Sequence, residues 1–172
     1  MTDTPRGAVI CKSKYGATKQ YAEWLGNKLQ LPVFDPDTEF VRLKSYDFFV
    51  IGSSVYGGKL LISPWLDNHK QELKNKTLYF FVVSAMDAND KDQQSKIISE
   101  NIPAGLADQQ RVYFLPGRLI LHHLTRKDRL MLRLGALLRG KKKHEDQDGV
   151  DIRNLADILL DVARQQVTAE LI

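Results

Sequence analysis

The sequence predicts a three-layer, doubly wound α/β domain, with a five-stranded parallel sheet held between helices. Two observations carry this. Apolar runs such as Ala8-Val9-Ile10-Cys11, Phe48-Phe49-Val50-Ile51 and Leu78 to Val83 are continuous, as strands buried on both faces require. Helix-period segments separate them, which is the pattern of βαβ units, whose crossovers are right-handed. No internal repeat and no low-complexity stretch suggests a solenoid instead.

The first strand, Ala8 to Cys11, feeds a helix whose Ala17, Tyr21, Leu25 and Leu29 recur at intervals of four. Leu31 to Phe34 is a weaker second strand, closed by the turn Asp35-Pro36-Asp37. Asp47 to Ile51 is the third and ends at Gly52. Ser63-Pro64 reads as cap and first helical position of a helix over Trp65 to Leu73. Leu78 to Val83 is the fourth strand, Asp90 to Glu100 a helix, and Arg111 to Leu115 the fifth strand. A final helix behind an Asp151 cap places Ile152, Leu155, Ala156, Leu159, Ala163 and Val167 on its apolar face. At 172 residues the chain reads as one domain, 1–172, with a basic insert at 118–148.

Composition narrows the class. With 43% apolar and 27% charged residues, a mainly disordered chain is excluded. No apolar run approaches the roughly 18 residues of a membrane-spanning helix, and the polar N-terminus shows no signal peptide. The lone Cys11 excludes an internal disulfide and a cysteine-rich metal site. A cytoplasmic protein is expected. Between Arg118 and His144, five Arg and four Lys stand against one acid, Asp128, so this segment carries +8 and the rest of the chain −4. Such asymmetry points to an anionic partner or to a solvated basic face.

Three loops follow strand ends that a doubly wound sheet brings to one crevice. The first, Ser13-Lys14-Tyr15-Gly16-Ala17-Thr18, lacks both the ATP-binding P-loop spacing and the dinucleotide glycine pattern. It offers two hydroxyls, a glycine and a helix N-terminus, which suit a phosphate. The second, Gly52-Ser53-Ser54-Val55-Tyr56-Gly57-Gly58-Lys59, reads as a mobile loop of close approach, with Tyr56 able to stack on a flat ring. The third is Ser84-Ala85-Met86-Asp87.

At these residues the chain resembles the flavodoxin family. S-x-x-G-x-T at Ser13, Gly16 and Thr18 is similar to that family's phosphate loop, and Ser53 to Gly58 to its ring-covering loop. Tyr15 and Ala17 stand where that loop more often carries Thr and Asn, which leaves the backbone N–H groups as donors. The resemblance covers Ala8 to about Ile98 and implies the strand order 2-1-3-4-5 with FMN as cofactor. Ser13, Lys14, Tyr15, Gly16, Ala17 and Thr18 would take the phosphate. Ser54, Val55, Tyr56, Gly57 and Gly58 would flank the isoalloxazine on one side, and Ser84, Ala85 and Asp87 on the other.

The basic insert carries a second pattern. Thr125 and Asp128 form a T-x-x-D cap, and Leu130, Met131, Leu134, Leu137 and Leu138 fall within one helical arc. Arg126, Arg129 and Arg133 lie on its flank, Gly140 closes the helix, and Lys141-Lys142-Lys143 follow. This is a basic amphipathic helix, which binds an anionic membrane surface or a partner protein unless its apolar arc packs on the sheet. No aromatic residues interleave the charges, so nucleic acid is not expected. His122 and His123 are adjacent and lack Cys or acid partners, so no metal is expected either. Gly117-x-Leu119 followed by Asp128-Arg129-Leu130-Met131 resembles the matching stretch of menaquinone-dependent protoporphyrinogen dehydrogenases, FMN proteins that work against the membrane.

These readings together predict an FMN-dependent oxidoreductase, quinone-linked and peripheral to the inner face of the membrane. Arg118, Arg126, Arg129 and Arg133 would bind an acidic substrate or lipid phosphates. No catalytic acid or base is assigned. The alternatives are an FMN electron carrier that docks a redox partner through the basic helix, and an interaction module without flavin.

Overall fold

The computed structural model describes residues 4–85, 89–108, 111–138 and 146–170. In chain order these form β1 (Gly7–Lys12), α1 (Ala17–Leu29), β2 (Val33–Phe34), β3 (Phe48–Tyr56), β4 (Lys59–Leu60), α2 (Ser63–Leu73), β5 (Thr77–Ser84) and α3 (Lys91–Asn101). They continue with β6 (Val112–Pro116), β7 (Arg118–Leu119), α4 (Arg126–Leu138), β8 (Gln147–Asp148) and α5 (Ala156–Glu170). The sheet runs β2-β1-β3-β5-β6, all parallel. With the hairpin strand β4 set aside, this is the expected order 2-1-3-4-5.

Strand residues alternate between faces, and both faces here are apolar. Ala8, Ile10, Phe49, Ile51, Phe80 and Val82 pack with Leu66 and Leu73 of α2 and Ile97 of α3. Val9, Phe48, Val50, Tyr79, Phe81 and Val83 pack with Tyr21 and Leu25 of α1 and Ile158 and Val162 of α5. The register Val9↔Val50 and Ile51↔Phe80 stacks these side chains into two continuous layers.

Three expectations are corrected. The third strand does not stop at Gly52 but runs to Tyr56, then turns through Gly57-Gly58 into β4, so most of the expected mobile loop is paired backbone. Gly52 continues the strand because it makes room for a ring: a Cβ there would lie 2.0 Å from Cζ of Phe81. Ser63 does not cap α2. It is already helical, and its Oγ donates to the Asn101 carbonyl at 2.9 Å. The apolar face of the last helix is also rotated: Leu155, Ile158 and Val162 are buried, whereas Ile152, Ala156 and Val167 are exposed. Residues Ile152–Leu155 form a 3-10 turn, whose tighter period shifts the phase before α5 begins.

The segment after β6 leaves the sheet through β7 and returns through β8, which pair antiparallel and close its base. Between them α4 runs with Thr125 capping it: Thr125 Oγ1 accepts from the Asp128 amide at 3.2 Å. Gly140 and Lys141 to Lys143 lie outside the described residues.

Candidate functional site

The β1–α1 loop is closed locally by Ser13, whose Oγ accepts from the Gly16 amide at 3.1 Å. Gly16 adopts φ 88° at the N-cap of α1, a left-handed conformation that a side chain would strain. It turns the chain so that the first helical amides, which have no carbonyl a turn earlier, face out of the sheet's end. Thr18 is 1% exposed, and its Oγ1 has no hydrogen-bond partner among the described residues. Ala17 is buried against the core.

The β3–β4 hairpin forms the second wall. Ser53 Oγ accepts from the Ile62 amide, and Ser54 Oγ is buried without a partner among the described residues. Val55 is half-buried against the core, Gly57 and Gly58 are exposed, and Lys59 is an exposed strand residue paired with Tyr56. Asn101, buried in α3, pins the hairpin from behind: Oδ1 accepts from the Leu60 amide at 3.0 Å, and Nδ2 donates to the Gly58 carbonyl at 3.1 Å. Sequence reasoning missed Asn101, since nothing local marks an asparagine at a helix end as a hairpin anchor. Ser84 ends β5 with its carbonyl accepting from the Gly117 amide, and Ala85 follows it, exposed. Asp87 lies outside the described residues.

The two loops meet at Asp128. This carboxylate, 5% exposed, accepts from the Tyr15 hydroxyl through Oδ2 and from the Tyr56 hydroxyl through Oδ1. Lys14 Nζ sits 2.9 Å from Oδ2 and 3.6 Å from the centre of the Tyr56 ring. The ammonium thus covers one face of Tyr56 and is held between ring and carboxylate. Desolvation pulls the Lys14 ammonium down, but its hydrogen bond to Asp128 and the carboxylate's charge outweigh this and raise its pKa. The sequence places Asp128 in a helix cap and at the head of the Asp128-Arg129-Leu130-Met131 stretch, but not at the loops. The available signal was its being the one acid in a +8 segment.

From Asp128 onward α4 turns its apolar arc outward. Leu130, Met131, Leu134, Leu137 and Leu138 are all exposed, Leu138 to 87%. Arg126 and Arg133 are exposed, and Arg129 is half-buried with its Nε unpartnered among the described residues. Arg118 stands apart: its guanidinium donates to Asp148 at 3.0 Å and to Gln20 at 2.9 Å, tying β7 to β8 and α1. No helix among the described residues is long and apolar enough to cross a membrane.

Residues 8–148 match the family model described as a flavodoxin domain. No curated protein matches the chain. Among solved structures, a flavoprotein in complex with FMN from Lactobacillus acidophilus is similar at 18% identity and TM-score 0.49, over 65% of this chain and 92% of that one. A flavodoxin from the domain Archaea is similar at 22% identity and TM-score 0.43, over 81% and 99%. Oxidised flavodoxin 2 from Bacillus cereus is similar at 16% identity and TM-score 0.46, over 77% and 95%.

Proposed function

The chain belongs to the flavodoxin domain family, and on that premise we propose that it is an FMN-dependent oxidoreductase working at an anionic membrane surface. The reaction is of the kind carried out by menaquinone-dependent protoporphyrinogen dehydrogenases, with a quinone as electron acceptor. The observation that carries this reading is a juxtaposition. The exposed apolar stripe of α4 begins at Leu130, two residues after Asp128, the residue bonded to both loops of the candidate site.

The residues fit FMN. Each loop holds a buried hydroxyl without a partner among the described residues, Thr18 Oγ1 on one and Ser54 Oγ on the other. A buried hydroxyl left unpaired is costly, and a phosphate or ring-edge atom would satisfy it. Thr18 and the first amides of α1 would hold the phosphate, where the helix dipole favours negative charge. Lys14, now paired with Asp128, would supply a cation, and Ser54, whose Oγ is unpartnered among the described residues, would border the ring with Tyr56. Bound FMN supplies the one- and two-electron chemistry, and the chain supplies binding and orientation. On α4, Arg126, Lys127, Arg129 and Arg133 face headgroup phosphates or a substrate's carboxylates while the leucines enter the interface. Each cation near an anionic leaflet contributes about 1 kcal/mol.

The test begins with visible absorption of the purified protein, then FMN and riboflavin titrations of the apoprotein. FMN bound well ahead of riboflavin supports the phosphate loop, and a colourless protein that takes up neither at micromolar concentration removes the reading. Flotation with phosphatidylserine vesicles follows. Reversing Arg126, Arg129 and Arg133 to Glu should cut partition and quinone-linked turnover by about tenfold or more. If the wild type ignores vesicles, α4 serves a protein partner instead.

A further inference from the structure

We propose that Asp128 is an internal anionic gate of the flavin site, which an incoming FMN phosphate must displace from Lys14. The inference rests on the flavin reading and concerns how the site is filled.

The first loop's cation is already engaged. Lys14 Nζ lies 2.9 Å from a carboxylate that is 5% exposed, and the Tyr15 and Tyr56 hydroxyls both donate to that same carboxylate. One side chain of the insert therefore ties together three groups from the two flavin loops. The tie is anionic and comes from outside the sheet. Lys14 Nζ also lies 3.6 Å from the centre of the Tyr56 ring, so the cation that a phosphate would pair with is held from two sides.

A phosphate monoester carries about −1.5 to −2 charge at neutral pH. Beside the Ser13–Thr18 loop it competes with Asp128 for Lys14, and the two anions repel one another at the short separation that a shared cation imposes. Entry of FMN is therefore opposed by Asp128. Once Asp128 is displaced, Lys14 is free to pair with the phosphate. Riboflavin carries no phosphate and is spared the charge penalty. The gate thus acts against the phosphate in particular, at the level of binding.

The experiment measures dissociation constants of FMN and riboflavin, by quenching of flavin fluorescence, for the wild type, Asp128→Asn and Asp128→Ala. Asparagine keeps the shape and removes the charge, so Asp128→Asn should bind FMN about tenfold more tightly. Riboflavin affinity should stay within about twofold of the wild type, since no phosphate is involved. Riboflavin binding and far-UV circular dichroism also report that each variant is folded. Asp128→Ala should agree in direction. FMN affinity that is unchanged or weaker in a folded variant overturns the gate and makes Asp128 a support for the loops. Equal tightening of both flavins overturns it too, because the effect would then not concern the phosphate. A wild type that binds neither flavin removes the flavin reading itself, and the gate with it.

Discussion

The central strands and helix α4 are both rich in large apolar side chains, yet they treat them in opposite ways. In β1, β3 and β5 the apolar residues vanish from the surface: Ile10, Phe49 and Phe81 are 0% exposed. In α4 Leu130, Leu134, Leu137 and Leu138 face outward, and among the described side chains of the helix the buried one is the acid, Asp128. Apolar spacing reports which residues share a face, and only the neighbouring elements decide whether that face is covered. The strands have helices on both sides, whereas the α4 stripe is left uncovered among the described residues. Turning a hydrophobic face outward while burying a carboxylate is costly for stability alone. The arrangement makes sense where the face meets something else and the carboxylate meets Lys14.

The contrast breaks most visibly under truncation of the core. Phe81 is fully buried, and its ring lies where a Cβ of Gly52 would be. Phe81→Ala leaves a cavity with glycine on one side and no side chain there to fill it. Chemical denaturation should show a loss of about 3–5 kcal/mol. A loss below about 1 kcal/mol would mean that the strand layer is not packed as described.

A second, smaller difference appears with pH. Cys11 ends the buried part of β1, and desolvation, reinforced by the charge of Asp35, pushes its thiol up to about 11 from 9.0. Because the folded value lies above the unfolded one, this contribution is fully present below pH 9 and is lost as pH rises toward 11. The loss is on the order of 2–3 kcal/mol. Denaturation curves at pH 8, 9, 10 and 11 should therefore fall more steeply for the wild type than for Cys11→Ala. Parallel curves would show that the thiol is not desolvated. Thiol reagents at pH 8 should react slowly with the native protein and at once after unfolding.

These differences also mark what could be read beforehand. The strands and the fold class were legible because continuous apolar runs and intervening helical periods are local signals, while their order followed from the resemblance that the loop residues carry. The amphipathic arc of α4 and its Thr125 cap were legible for the same reason. The hairpin extension of β3 was not: serines, a tyrosine and glycines look like a loop until Phe81 fills the gap at Gly52 and Asn101 fastens the turn. Nor was the meeting of Tyr15, Tyr56 and Lys14 at Asp128, which joins residues more than seventy positions apart. Local composition marked both loops as a candidate site, but only the folded chain brings the insert's acid to them.

The smallest expected effect sharpens the comparison most. Leu137 and Leu138 are 79% and 87% exposed, so changing both to Gln removes almost no buried area. Gln is also as good a helix former as most residues. Stability should stay within about 0.5 kcal/mol of the wild type for each change. Partition onto phosphatidylserine vesicles should nonetheless fall by roughly thirtyfold or more, since each of the two leucines that enters an apolar phase contributes on the order of 1–2 kcal/mol. A double variant destabilised by more than about 2 kcal/mol would mean that the stripe is covered within the protein or by a second copy. Repeating the denaturation at several protein concentrations separates those two: only coverage by a second copy makes the midpoint rise with concentration. Unchanged stability with unchanged vesicle binding would show that the leucines do not enter the membrane, leaving the arginines as the part of α4 that binds.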